Sequence, residues 1–577
     1  MRSPHESVAR ASVLCAACVL VAGARDAAAQ VTARASVSTA GFEANDHSLE
    51  PALSADGRWI AFSSTATALV GGDSNGVRDV FVHDRLLGTT SRASSTSSGA
   101  EAHGSSESPA LSRDGLVLSF DSFASDLVTG DANGFGDVFV RDLATGATEC
   151  ASRNALGLTA NARSSWSSLS GDGRFVVFLS EATDLVLGNP AFSSQVFVRD
   201  RQTGSIELAS RDSSGVIGDG NCFDRPVLSA DARYVAFASW ASNLVVGDTN
   251  ATSDVFVRDR LTGSTERVSI SSAQLEADSS TRWPAMTPDG RFVAFQGPAS
   301  NLSTPDHNVR DDVFVRDRLL GTTRCASLTP SFTTGDHWSR WPSISDDGLF
   351  VAFLTNTSDI LAGDVPGTVD GALRDFSTLT TTKLDFVWNG ASLPPAAGLV
   401  LLSGDARVAA FPSGDPGYVL GDVNGWSDVF TVDRFARATP PYTTYCTAKT
   451  NSSGCSPRIG ASGIASTSAL DSLRIVAVDV LATKNGLLIW GLGAMALPFG
   501  GGTLCVQPPL KRTSVQNSGG ASPCGGAYSF AFDQAYMASK GVGAGAVLFA
   551  QFWSRDPGFA PPDDIGLTNA LAFSVLP

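Results

Sequence analysis

Residues 53–62 read LSADGRWIAF, a Ser-x-Asp-Gly turn that runs straight into an apolar strand. Six further segments repeat it: LSRDGLVLSF from residue 111, LSGDGRFVVF from 169, LSADARYVAF from 228, MTPDGRFVAF from 286, ISDDGLFVAF from 344 and LSGDARVAAF from 402. The turn aspartates are Asp56, Asp114, Asp172, Asp231, Asp289, Asp347 and Asp405, spaced 58, 58, 59, 58, 58 and 58 residues apart. So regular a period, with no helical pattern inside it, means one supersecondary unit used seven times.

Each unit has room for four short strands. In the first they are expected at 51–54, 58–64, 79–84 and 89–94, joined by tight turns at Asp56-Gly57 and around Gly88. The third strand is apolar at consecutive positions, Val80-Phe81-Val82, which calls for burial on both faces. Four-stranded sheets packed between like sheets make a β-propeller, whereas the coils of a β-solenoid are much shorter. The seventh unit runs into RFARATPP without a clear fourth strand. The segment VTARASVST (31–39) resembles the fourth strands of other units, so it is expected to complete blade seven and close the ring.

The Ser-x-Asp-Gly-Arg-x-x-Ala-Phe pattern resembles the PD40 (WD40-like) repeats of TolB-like propellers over residues 31–434. The resemblance implies fold rather than function. TolB carries an α/β domain ahead of its propeller with no counterpart here, so its envelope partners are not carried over. The tail, with YCTAKTNSSGC from Tyr445, GGTLCV from Gly501 and WSRDPGF from Trp553, resembles a C-terminal module of uncharacterised secreted bacterial proteins. That likeness implies β structure and export. The expected layout is a signal peptide at 1–29, a seven-bladed propeller at 30–438 and a disulfide-bonded β-sandwich at 442–577.

Bulk properties agree. The chain of 577 residues is too long for one ordinary core, and 43% hydrophobic with 17% charged residues is a folded composition. The apolar run ASVLCAACVLVAGA between Arg10 and the small residues Ala27-Ala28-Ala29 reads as an export signal. No later stretch is long and apolar enough to span a bilayer. The net charge of −16 argues against a nucleic-acid partner and allows cationic partners or divalent metals. Cys446, Cys455, Cys505 and Cys524 cluster in the tail and suggest two disulfides, with the local pairs Cys446–Cys455 and Cys505–Cys524 expected.

Three features could carry chemistry. The first is an Asp-x-Asn-Gly-x-x-Asp loop, held at Asp73/Asn75/Asp79, Asp131/Asn133/Asp137 and Asp422/Asn424/Asp428. Calcium is the candidate cofactor, because alternating Asp and Asn around a Gly bend supply several oxygens. The first reading of the same residues is nonetheless a set of Asx turns, with the cation loop second, because the loop lacks the extra Asp that calcium loops place two residues earlier. The second is the repeated Arg-Asp that ends the third strand, read as the opening of a hairpin turn. The third is a tryptophan before the first strand of three units, Trp166, Trp283 and Trp341, with Arg282 and Arg340 adjoining two of them. Trp beside Arg is typical of binding hot spots, and also of packing between blades.

No Gly-x-Ser-x-Gly elbow is present. The function expected is an exported, non-enzymatic binding or scaffold protein. It would use the long-loop face, where the second-to-third and fourth-to-first connections emerge, to recognise a protein or a glycan outside the cytoplasm. The rival is an extracytoplasmic glycan-active lyase or hydrolase built on rim carboxylates.

Overall fold

The structure is a computed structural model. It describes residues 31–575 apart from 190–192, 304–307, 362–368, 385–398, 415–417, 420–423, 435–441, 463–464, 466–472, 520–522, 525 and 562. The expected signal segment and Asp422 lie outside the described residues.

Seven four-stranded antiparallel sheets form the propeller. Blade one is Ser48–Leu53, Trp59–Ser64, Asp79–Asp84 and Thr89–Arg92, in that order from the centre outward. The first strands of successive blades touch one another round the ring and line its central channel. The third strand of blade one, Asp79–Asp84, is buried at all six positions, as its unbroken apolar run demands. Blade seven is closed as expected: Val31–Arg34 pairs antiparallel with Asp428–Asp433.

The repeat signature has a physical explanation. Ser54 Oγ donates to Asp56 Oδ1 at 2.6 Å, Arg58 N donates to the same oxygen at 3.0 Å, and Gly57 takes a positive φ of 69°. The turn is therefore held by its own side chains. Arg58 then reaches the end of the third strand and grips Asp84 with two bonds, Nε at 3.0 Å and Nη2 at 2.7 Å. The same fork joins Arg174 to Asp200, Arg233 to Asp259 and Arg291 to Asp317. The aspartate also accepts amides of the following hairpin, as Asp142 does from Ala144 at 3.0 Å and Thr145 at 2.8 Å. It is a turn residue, as expected, and in the Arg-bearing blades an anchor too.

The tight turns of neighbouring blades form a belt at one end of the channel. Ala55 N donates to Arg113 O (2.9 Å), Arg113 to Gly171 (3.1 Å), Gly171 to Ala230 (2.9 Å) and Ala230 to Pro288 (2.8 Å). Asp346 donates to Gly404 (2.8 Å) and Gly404 closes back on Ala55 (2.7 Å). The one step not made, from blade five to blade six, falls at Pro288, which has no N–H to give.

Outer edges are also managed. In blades one, two, four and five the preceding hairpin lays a hydroxyl against the blade's fourth strand. Thr90 N donates to Thr39 Oγ1 at 2.9 Å, and that hydroxyl donates back to Thr90 O at 3.2 Å. Ser97 with Thr148, Ser213 with Thr265 and Ser272 with Thr323 repeat the pattern. A side chain thus stands in for a fifth strand and blunts a free edge.

The tail forms a sandwich. One sheet carries Tyr442–Tyr445, Ile565–Ser574, Val547–Arg555 and Asn485–Gly491, and the other Arg458–Ser462, Leu473–Val480 and Gly526–Phe532. Leu473, Ile475, Trp490, Leu548, Phe552 and Phe573 share the core between them. Arg474 Nη2 donates to Leu87 O at 2.5 Å and so ties the sandwich to a tight turn of blade one. The disulfides are Cys446–Cys505 and Cys455–Cys524, not the local pairs expected. The reason is tertiary. Lys449 Nζ bonds Gly500 O at 2.7 Å and Ile565 O at 2.9 Å, and Tyr445 Oη bonds Cys505 O at 2.6 Å. These contacts seat the segment holding Cys446 and Cys455 against distant strands. No helix among the described residues is long and apolar enough to cross a membrane.

Candidate functional site

The first strands of blades one to six begin earlier than expected. Blade one starts at Ser48 rather than residue 51, because register shifts between Leu49 and Ala52, where Glu50 takes a φ of 53°. The bulge recurs at Ser108, Trp166, Asp224, Trp283 and Trp341, all with φ between 54° and 59°. The three tryptophans thus lie within the channel-lining strands rather than before them. A left-handed residue without glycine is costly, and four of the six bulges are held from the preceding blade. Ser108 N donates to Glu50 Oε2 at 2.9 Å, Trp166 N to Asp121 Oδ2 at 2.8 Å, Trp283 N to Asp224 Oδ2 at 3.2 Å and Trp341 N to Gln296 Oε1 at 2.5 Å.

In blade four the first strand is Cys222–Leu228, seven residues against six in blade three and five in blade five, and the bulge falls on Asp224 and not on Arg225. Arg225 instead reaches across to blade two, giving Nη2 to Ser108 O at 3.1 Å and Nη1 to Pro109 O at 3.2 Å.

The bulges draw the sequence-predicted residues together. Trp166 and Trp283, from blades three and five, lie 5.9 Å apart at 32°. Trp341 meets Trp338 edge-on at 5.8 Å. All three predicted tryptophans are half-buried. Arg282 and Arg340 converge on Asp311, Arg282 at 3.8 Å and Arg340 in direct contact. Sequence reading missed Glu50, Asp121, Asp224, Arg225, Gln296 and Asp311. For Asp121 and Gln296 the only signal was departure from the repeat, at a position held by Ser63, Leu179, Ala238 and Leu354 in other blades.

Two carboxylates here are strongly perturbed. Burial pushes Asp121 up to about 7, opposed by the Trp166 amide and Arg225 and helped by Glu107 and Glu50. Burial pushes Asp224 up to about 6, opposed by the Trp283 amide and Arg282.

The Asp-x-Asn-Gly loops are built differently from a calcium cage. Asn75 Nδ2 donates to Asp79 Oδ2 at 2.9 Å and to Ala102 O at 2.8 Å, while its Oδ1 accepts Val77 N at 3.0 Å. Asn133 bonds Asp137 (2.5 Å) and Ala160 O (2.8 Å) the same way, and Asn424 bonds Asp428 (3.1 Å) and Ala44 O (2.8 Å). The asparagine is a strut between blade and hairpin. Asp73, Asp79 and Glu101 do bring oxygens within 4.8 Å of one another. Arg92 stands among them, at 3.6 Å, 3.7 Å and 2.5 Å respectively. In blade four Arg267 reaches Asp248 (3.2 Å), Asp254 (3.3 Å) and Glu276 (2.8 Å). In blade seven Arg34 reaches Glu43 (2.5 Å) and Asp428 (3.4 Å). A guanidinium supplies the positive charge that calcium would bring. In blade two Cys150 occupies the position of Arg92, and burial pushes Asp131 up and Asp137 up to about 6.

No protein-family model matches the chain, and no curated protein does. Solved structures similar to it are TolB-like and related propellers. TolB from Acinetobacter baumannii is 15% identical over 53% of this chain and 58% of its own, with a TM-score of 0.32. Oligogalacturonate lyase from Vibrio parahaemolyticus is 12% identical over 68% and 90%, at 0.41. The propeller domain of the trilobed protease from Pyrococcus furiosus is 12% identical over 64% and 91%, at 0.36. The match thus spans little more than half of the TolB chain. Likeness at this level carries no argument about function, and the fold stands on the seven sheets of this chain.

Proposed function

We propose that this is an exported binding protein that captures a protein or glycan ligand at the long-loop mouth of its channel. One observation carries the reading. Tryptophans from blades three, five and six turn out of regular strand geometry on bulges of the channel-lining strands, half-buried, with Trp166 against Trp283, beside two arginines that share a single aspartate. Rigid aromatic and guanidinium groups on a closed scaffold are what recognition uses. Export is supported by the two disulfides of the tail. Titration of tryptophan fluorescence with panels of oligosaccharides and peptides tests the site. Trp283→Ala should weaken any hit at least ~10-fold with the fold intact. Normal binding by a Trp283→Ala, Trp341→Ala double variant would remove the proposal.

A second reading is favoured by the raised pKa values of Asp121 and Asp224, which suit proton transfer near neutral pH. It makes the protein a glycan-active lyase or hydrolase. Product release from an oligosaccharide panel, lost in Asp121→Asn and Asp224→Asn, would favour it over simple capture.

A further inference from the structure

We infer that the ligand of this mouth is a small zwitterion, held with its ammonium group toward blade two and its carboxylate toward blade five; this rests on the binding site proposed above. Blades two and five carry opposite chemistry at equivalent positions. In blade two, Glu107 on the first strand lies directly opposite Asp121 on the second. In blade five, the same two positions are Arg282 opposite Gln296. The neighbouring ion pairs are reversed as well, Arg78 with Glu107 at 3.7 Å on one side and Asp311 with Arg340 on the other.

Two carboxylates directly opposed on adjacent strands repel, and Glu50 adds a third beside them. Asp121 is 4% exposed, its Oδ2 is taken by the Trp166 amide, and its Oδ1 has no hydrogen-bond partner. On the opposite wall Gln296 is 0% exposed, its Oε1 is taken by the Trp341 amide, and its Nε2 has no partner. One wall therefore leaves a buried acceptor unsatisfied and the other a buried donor. Each is a desolvated polar group that a bound partner would satisfy. A carboxylate beside Gln296 would also meet Arg282, whose side chain is 42% exposed and only 3.8 Å from an aspartate that Arg340 already holds.

The acidic wall does not suit a chelated metal. Among the described residues only Asp73, Asp79 and Glu101 gather oxygens within 4.8 Å. An ammonium group, with three donors spread in space, matches wider carboxylates. Size is set by the channel. One arginine side chain, Arg225, reaches from blade four to blade two, and the Trp166 and Trp283 rings are 5.9 Å apart. On that scale the inferred zwitterion is an amino acid or short peptide, with the tryptophan faces against its aliphatic part.

The test uses glycine, glycylglycine and triglycine, with N-acetyl and C-amide forms of each, by calorimetry and tryptophan fluorescence on the full chain. At least one free zwitterion should bind saturably below about 1 mM, and either cap should weaken it at least ~10-fold. The preferred length tells a free amino acid from a peptide. Asp121→Asn and Gln296→Glu should each weaken binding, while Arg113→Ala at the opposite mouth should not, all three melting cooperatively. Equal binding of capped forms, or no saturable binding by any member, overturns the inference. If Trp283-dependent capture of another ligand then persists, the binding site survives and only the zwitterion fails. If that capture is absent too, both fall.

Discussion

The two mouths of the channel share one scaffold and treat their polar groups in opposite ways. At the tight-turn mouth, backbone N–H and C=O groups are joined from blade to blade in a belt. A cavity of about 160 Å³ behind it is ringed by one apolar side chain per blade, from Leu53 round to Leu402, and Arg113 and Asp346 pair across it. At the long-loop mouth, strands bulge, tryptophans half-emerge, and a carboxylate oxygen and an amide nitrogen are buried without partners. A closed ring can leave groups unsatisfied at one end because the other end holds the blades in place. The difference fits a structural role for one mouth and the proposed recognition role for the other.

Four experiments break or sharpen that contrast. The largest effect should come from deleting residues 31–40. This removes the fourth strand of blade seven, the Arg34 bridge to Glu43 and the Ser36–Asp428 bond. A fall in Tm of about 5 °C or more is expected. An unchanged Tm would mean that the belt alone closes the ring.

Next is Arg92→Ala, which leaves Asp73, Asp79 and Glu101 facing one another. A cost of about 2–4 kcal/mol is expected in chemical denaturation. Millimolar calcium should recover part of it in the variant and leave the parent's midpoint unmoved. A calcium-stabilised parent would show that the loops bind metal despite their arginines.

Asp121→Asn should act in the other direction. A carboxyl whose folded pKa is raised to about 7 binds protons more readily in the native state than in the unfolded chain. Its contribution is fully present below the unfolded value, near 3.8, and is lost as pH rises through about 7. The asparagine variant should thus be about 1–3 kcal/mol more stable than the parent near pH 8 and equal to it near pH 4. A parallel pH dependence of the two proteins would show that Asp121 is solvated in solution. The smallest effect belongs to Arg113→Ala. Both partners of that pair are 38% exposed, so less than about 1 kcal/mol should be lost. A larger loss would mean that the strap, not the belt, organises the tight-turn mouth.

How far the sequence carries depends on the range of the interaction. Asp56, Gly57 and Arg58 declare their turn because all its bonds lie within five residues. Arg58 to Asp84 recurs with the unit, so periodicity reveals that something is kept there, though not that it is an ion pair. The Asp-x-Asn-Gly loops were only half legible for the same reason. The oxygens stand at 73, 75 and 79, but the arginine that neutralises them stands on another strand at 92.

The number of blades, their strands, the closing segment and the turn chemistry were determined by the sequence alone. Turn hydrogen bonds and apolar runs repeat with the chain, and the closing segment shows itself as the one strand missing from the seventh repeat. Tertiary structure alone decided the disulfide pairing, the reach of Arg225 into blade two, the Arg113–Asp346 pair and the meeting of Trp166 with Trp283. Each joins residues that closing the ring or folding the sandwich brings together from distant places, and no local pattern encodes a distance across a channel.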